Sequence, residues 1–159
     1  MKKKTIKELL SSLDHVGAMV TDMDMAIEFY ENLGFGPFNA LNVTIINRKV
    51  RGKLAPDVEN LARICPVGPI GFELIQAISG KSIQQEFIEN KGEGINHLAF
   101  RIDDLDEAIE IMTDAGFRVV SSGETVGGGG YAYFDTDRIG GIQIELFEIP
   151  PTIDRLWGN

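Results

Sequence analysis

The stretch DHVGAMVTDMDMAIEFYENLGF (residues 14–35) returns as NHLAFRIDDLDEAIEIMTDAGF (residues 96–117), ungapped and at a constant offset of 82. Eight of the 22 positions are identical: His15/His97, Asp22/Asp104, Asp24/Asp106, Ala26/Ala108, Ile27/Ile109, Glu28/Glu110, Gly34/Gly116 and Phe35/Phe117. Most others exchange like for like, as in Val20/Ile102 and Met23/Leu105. A shared helix-and-strand pattern does not fix so many residue types in one register, so the chain reads as an internal duplication. What the first half builds, the second half must build again.

Each copy opens on a β-prone run, HVGAMV and HLAFRI. Along the second run His97, Ala99 and Arg101 share one face, and Leu98, Phe100 and Ile102 the other. Acidic residues suited to a helix start follow (TDMD, DDLD), with Asp104 and Glu107 at capping-box spacing. Ile27, Tyr30 and Leu33 recur at helical spacing, as do Leu105, Ile109 and Met112. Gly34 and Gly116 close the helices, and a phenylalanine begins a return strand.

Further on, LARICPV, a GPIG turn and FELIQA answer YAYFDT, a GG turn and IQIELFE. FEL at 72–74 matches IEL at 144–146 at an offset of 72, so about ten extra residues lie in the first half, around NRKVRGK (47–53). Each half is predicted as βαβββ, with a helix over 82–90 between them, Ser82 and Gln85 forming its capping pair. The fold class is α+β. An arm (1–12), a domain of two modules (13–80 and 94–149) and a tail (150–159) opened by Pro150 and Pro151 complete the division.

Composition narrows the rest. A chain of 159 residues, 43% apolar, suits one domain or two half-domains sharing a core. No run approaches the roughly 20 apolar residues of a membrane span. MKKKTIKELLSS has a basic front without the apolar stretch of a signal peptide. A single cysteine, Cys65, forms no internal disulfide and suits a cytoplasmic protein. A net charge of −9 argues against a nucleic-acid partner, since phosphates are repelled. Arg48, Lys49, Arg51 and Lys53 form the densest basic patch outside the N-terminus, either a solvated hairpin or a contact for substrate phosphates. The four consecutive glycines of GETVGGGGYAYF precede a strand, which excludes a P-loop and leaves a flexible connector or a lid.

The duplication pairs the chain's only two histidines, His15 and His97, and also pairs Glu73 with Glu145. All four stand in strands with apolar neighbours, where an ionised carboxylate is costly without a partner. A divalent ion is one such partner; two imidazoles and two carboxylates suit zinc, cobalt, manganese, nickel or iron. Pseudo-twofold symmetry brings one histidine and one glutamate from each half to a common centre.

HVG…D…AIEFYENLGF, FELIQ, GEGINHLAFRIDDLDEAI and GGIQIELFE together resemble the vicinal oxygen chelate superfamily (glyoxalase/bleomycin resistance/dioxygenase) over residues 13–149. The resemblance implies two tandem βαβββ modules forming a cupped mixed sheet around a metal, with His15, Glu73, His97 and Glu145 as ligands. Within the superfamily the chain is most similar to methylmalonyl-CoA epimerase and glyoxalase I-like proteins. Epimerases usually carry two adjacent histidines where this chain has Asn96–His97, and commonly Gln where it has Glu73.

Four protein ligands leave two positions of an octahedral ion for substrate oxygens, which favours Lewis-acid chemistry on a carbonyl. The leading expectation is a metal-dependent isomerase moving a proton α to a carbonyl. Its substrate would be a small molecule, an acyl-CoA or a thiol adduct. The resemblance assigns the base to Glu145, and Glu59 is the nearest candidate by position for a second acid/base. A glyoxalase I-type lactoylglutathione lyase is the alternative, and a non-catalytic small-molecule binding or resistance protein is the alternative of another class. Pairing of such modules between chains makes a homodimer the expected assembly, and no membrane partner is expected.

Overall fold

A computed structural model describes residues 2–157. Its elements are α1 (Ile6–Leu9), β1 (Leu13–Met19), α2 (Met23–Asn32), β2 (Ile45–Val50), β3 (Lys53–Leu54), β4 (Glu59–Val67), β5 (Ile70–Ser79), α3 (Ile83–Lys91), β6 (Gly94–Arg101), α4 (Leu105–Asp114), β7 (Val119–Thr125), β8 (Gly130–Phe134), a 3-10 turn (Thr136–Arg138) and β9 (Gln143–Glu148). The nine strands form one curled mixed sheet in the order β3-β2-β7-β8-β9-β6-β1-β5-β4. The fold is therefore α+β, as the duplication predicts.

The helix starts follow their caps. Asp22, Ser82 and Asp104 each accept a hydrogen bond from the backbone N–H three residues on, at 2.9–3.0 Å. Each bond satisfies a donor that the first turn leaves unpaired, worth about 1 kcal/mol. Gln76 accepts from the Met23 N–H at 2.9 Å, which places it on the helix side of the sheet, as alternation along β5 predicts.

The second half realises its pattern fully: β6 and β9 pair in parallel, with β8 and β7 antiparallel beyond them. In the first half β1 and β5 pair in parallel and β4 follows, but the return strand expected after Phe35 does not form. It is reduced to an isolated bridge between Asn39 and Ile64, with reciprocal N–H···O bonds of 2.8 Å. Pro37 lies in that segment without a backbone donor, which limits a ladder. The extra residues form the β2–β3 hairpin, and β2 pairs antiparallel with β7 of the other half. This hairpin extends the second half's sheet across the open side of the cup.

Alternation sorts the core onto two faces. Phe100, Ile102, Ala108, Ile111, Met112, Phe134 and Leu146 form the helix-side core of the second half, joined by Leu9 of α1. Ala18, Val20, Met23 and Leu74 form a smaller one in the first half. A third cluster lies inside the cup around Tyr131, Tyr133, Phe147 and Ile149. Each fully buried large apolar side chain contributes about 1.5–3 kcal/mol.

The tail folds back on the sheet. Arg101 Nη1 donates to the Asp154 carbonyl at 2.6 Å, and the Asn42 N–H donates to the Leu156 carbonyl at 3.0 Å. Leu156 is buried in the cluster inside the cup. The glycine run is a tight hairpin turn between β7 and β8, closed by Thr125 N–H to Gly129 O and Gly128 N–H to Thr125 O, both 3.1 Å. No helix among the described residues is long and apolar enough to cross a membrane.

Candidate metal centre

The two halves meet along the antiparallel pair β1–β6, and the site is built on the four central strands β5-β1-β6-β9. Their register sets two rows: Glu73 beside Gly17 beside His97, and Glu145 beside Ala99 beside His15. Each row puts one carboxylate and one imidazole on either side of a small residue. The small residue is a steric requirement, because a Cβ on Gly17 would collide with the His97 ring. Gly17 and Ala99 are themselves repeat partners, so both histidines gain their space by the same device.

The ligand atoms of His15, Glu73, His97 and Glu145 all lie within 4.8 Å of one another, and all four residues are buried. Glu73 Oε2 is 3.3 Å from His15 Nε2 and 3.1 Å from His97 Nε2. Glu145 Oε2 is 3.6 Å and 3.2 Å from the same two nitrogens. The far side of each ring is fixed by the preceding residue: His15 Nδ1 lies 2.7 Å from Asp14 Oδ1, and His97 Nδ1 lies 2.6 Å from Asn96 Oδ1. Both partners are oxygen acceptors, so Nδ1 carries a proton and donates. Nε2 then faces the centre, the orientation in which second-shell partners hold metal-bound histidines.

The four groups hold one another in their charged forms. Burial would raise the Glu73 carboxyl, but the facing His15 and His97 imidazoles outweigh it and hold the group at about 2. The Glu145 carboxyl is lowered against burial by the same two histidines. Burial would lower His15, yet Asp14, Glu145 and Glu73 carry it well above its usual value. His97 rises against burial through Glu145 and Glu73. His97 Nε2 and Glu145 Oε2 are buried without a properly aligned hydrogen bond, an arrangement that is costly to leave unmatched. A divalent ion fits this donor set, since it accepts from both imidazoles and both carboxylates at once.

The centre opens on a cavity of about 80 Å³ inside the cup. Leu41, Val43, Ile45, Ile75 and Ile149 give it apolar walls, while Arg48, Asn60, Gln84, Thr125, Tyr131 and Glu148 are polar residues along them. Tyr133 stacks edge-on against His97 at 5.2 Å between ring centres. Burial, then the nearby Glu145 and Glu73 carboxylates, push its phenol well above the usual value. From the tail, Leu156 lines the cavity and the Trp157 ring stands 6.3 Å from that of His15.

Of the residues singled out in the sequence, the structure gathers His15, Glu73, His97 and Glu145 in one place. It does not bring Glu59 there, which corrects that expectation. Glu59 is exposed at the start of β4, whose cavity-facing residues are Asn60 and Ala62. The basic patch also divides: Arg48 lines the cavity, Lys49 and Lys53 are exposed, and Arg51 pairs with Glu86 at 2.7 Å. Sequence reasoning missed Asp14, Asn96, Gly17, Ala99 and the two tyrosines. A usable signal existed for the first four: each histidine is preceded by a short hydrogen-bonding residue and followed, two positions on, by a small one.

Residues 14–134 match the family described as the Glyoxalase/Bleomycin resistance protein/Dioxygenase superfamily, and the chain belongs to it. Among its relatives, 2-epi-5-epi-valiolone epimerase of Actinomyces sp is 30% identical over 149 residues, 87% of this chain and 80% of that protein. The protein YqjC of Bacillus subtilis is 28% identical over 141 residues, 87% of this chain and 93% of the relative. Among solved structures, methylmalonyl-CoA epimerase from Mycobacterium tuberculosis aligns with a TM-score of 0.61 at 25% identity, over 96% of this chain and 95% of that one.

Proposed function

We propose that the protein is a divalent-metal-dependent isomerase that moves a proton α to a carbonyl, in the manner of methylmalonyl-CoA epimerase. The observation that carries this reading is the buried cluster of two histidines and two glutamates at the floor of an apolar cavity. Support also comes from two similar proteins whose names describe epimerisations. His15, His97, Glu73 and Glu145 would hold the ion, for which zinc, cobalt, manganese and nickel are all suited. Bound there, it would supply Lewis-acid stabilisation of charge developing on the substrate's carbonyl oxygen.

The protein's own residues do the rest. Glu145 takes the α-proton and leaves the carbon planar, so that a proton can return to either face. The apolar walls exclude water from the carbon that has lost its proton, which suppresses side reactions. Asp14 and Asn96 keep both imidazoles in the ligating tautomer.

Metal-loaded protein incubated with methylmalonyl-CoA in deuterium oxide should racemise the substrate and place deuterium on its α-carbon. Glu145→Gln should lower that rate by about 10²–10⁴-fold, the usual worth of a positioned base. An absence of both exchange and racemisation, with the metal bound, would defeat the proposal.

The assembly we propose is a homodimer through α2, which leaves Met25, Phe29 and Leu33 exposed at 68%, 60% and 63%. Ile111, the repeat partner of Phe29, is buried in the cluster that includes Leu9 of α1. Among the described residues nothing covers the α2 face in this way, and a second copy would provide the cover.

A further inference from the structure

We infer that Arg48, held by Tyr131, reads the substrate by binding an oxyanion group, a carboxylate or a phosphate, within the cavity. This rests on the reading of the cavity as a substrate site, and it names the class of substrate that the site takes. β2 pairs with β7 through Ile46–Glu124 and then Lys49–Ser122, so Asn47 and Arg48 together face the single residue Gly123. That is a β-bulge, the feature that re-aims side chains beside active sites. Asn47 adopts φ +51°, uncommon for a residue with a side chain, and its Nδ2 donates to Glu124 at 3.0 Å to hold the bulge. Arg48 is consequently the one member of the basic patch that lines the cavity.

The opposite strand is built to receive it. A Cβ on Gly123 would lie 2.6 Å from the Tyr131 ring and 2.9 Å from Ile45, so only glycine lets that ring lie across β7. The Tyr131 hydroxyl accepts from Arg48 Nη1 at 3.0 Å. Among the described residues no carboxylate lies within salt-bridge distance of Arg48, although it is half-buried beside apolar walls. A guanidinium has five donors, and Tyr131 uses one of them. Withdrawing a cation from water without an anion is unfavourable, so an anion from the ligand supplies the missing partner.

The spacing defines the ligand. Tyr131 and Tyr133 stack at 5.5 Å between ring centres, and Tyr133 stacks on His97 at 5.2 Å. Arg48 thus stands two rings from the metal centre, in a cavity of about 80 Å³. The part of the substrate inside the cavity is bifunctional, with its carbonyl at the metal centre and its oxyanion at Arg48. The phosphates of a long cofactor tail would lie outside this contact.

Calorimetric titration of metal-free protein with succinate, inorganic phosphate and neutral succinamide tests the inference without direct coordination to an ion. Wild-type protein should bind one of the two anions and not succinamide. Preference for succinate assigns a carboxylate, and preference for phosphate assigns a phosphoryl group. Arg48→Met should weaken that binding about tenfold or more, as expected for a lost charge-assisted hydrogen bond, and Arg48→Lys should weaken it less. Lys49→Met serves as the surface control. Metal titration of each variant should match wild type, which certifies the fold and separates failure here from failure of the proposed metal chemistry. Wild type binding neither anion at millimolar concentration, or Arg48→Met binding as tightly as wild type, overturns the inference.

Discussion

The two halves of the molecule are alike at the centre of the sheet and unlike at its edges. Next to the joint, His15 with Asp14 and Ala99 mirrors His97 with Asn96 and Gly17, and Glu73 mirrors Glu145. One strand further out the match ends. In register with Ile75 and Glu73, β4 carries Ala62 and Ile64; in register with Phe147 and Glu145, β8 carries Tyr131 and Tyr133. Beyond that, the second half gains the β2–β3 hairpin with Arg48, whereas the first half ends in a single bridge at Asn39. Symmetry thus belongs to the ligands and asymmetry to the walls. Four equivalent side chains could enclose an ion, whereas a substrate with two different ends, as proposed here, needs two different walls.

The comparison breaks most severely at the small residues beside the histidines. Gly17→Ala drives a methyl into the His97 ring, so it should abolish metal binding and cost about 1–3 kcal/mol of stability through overpacking. Ala99→Gly should keep the centre and cost only about 0.5–1 kcal/mol, the backbone-entropy penalty of glycine. Urea unfolding with a parallel metal titration reads both. Next in size, Asn96→Ala and Asp14→Ala should each weaken metal affinity about 10–100-fold, as lost second-shell partners do. If either leaves the affinity unchanged, ring orientation is set by packing alone.

Proton competition sharpens the same comparison. Both imidazoles are raised in the metal-free protein, His15 further than His97 because of Asp14. Metal affinity should therefore rise with pH until both have lost the competing proton. Stability without metal runs the other way. A raised imidazole value gives stabilisation that is complete below the ordinary value of 6.5 and is lost as pH rises through the folded values. Glu73, at about 2 against an ordinary 4.5, stabilises above 4.5 and loses that contribution as pH falls toward 2. Melting curves with and without metal should accordingly diverge as pH increases. The smallest effect concerns the outer helices: Phe29→Glu should convert the proposed dimer to monomer in light scattering and leave metal affinity unchanged.

Much of the centre is legible in the sequence alone. The ungapped repeat announces two equivalent units, and pairing His15 with His97 and Glu73 with Glu145 needs only the offsets. Helix starts are equally readable, because caps such as Asp104 act within one turn. The walls are not legible, because they depend on which strands become neighbours. β2 leaves its own half to pair with β7, and nothing local to NRKVRGK specifies that partner. The bulge that turns Arg48 inward exists only against Gly123, some 75 residues away. Glu59 fails as a site residue for the same reason: nearness in sequence does not say which face of β4 meets the cavity. The tail lacks periodicity, and its place over the cup follows from Leu156 finding an apolar site and Arg101 finding the Asp154 carbonyl.

The central claim is that neither half completes the metal centre alone. Cobalt(II) titration followed by visible absorption, on wild type and on His15→Ala and His97→Ala singly, tests it most directly. The account predicts stoichiometric binding by wild type and a comparable collapse in both variants, one from each half. Undiminished binding by either variant would contradict it.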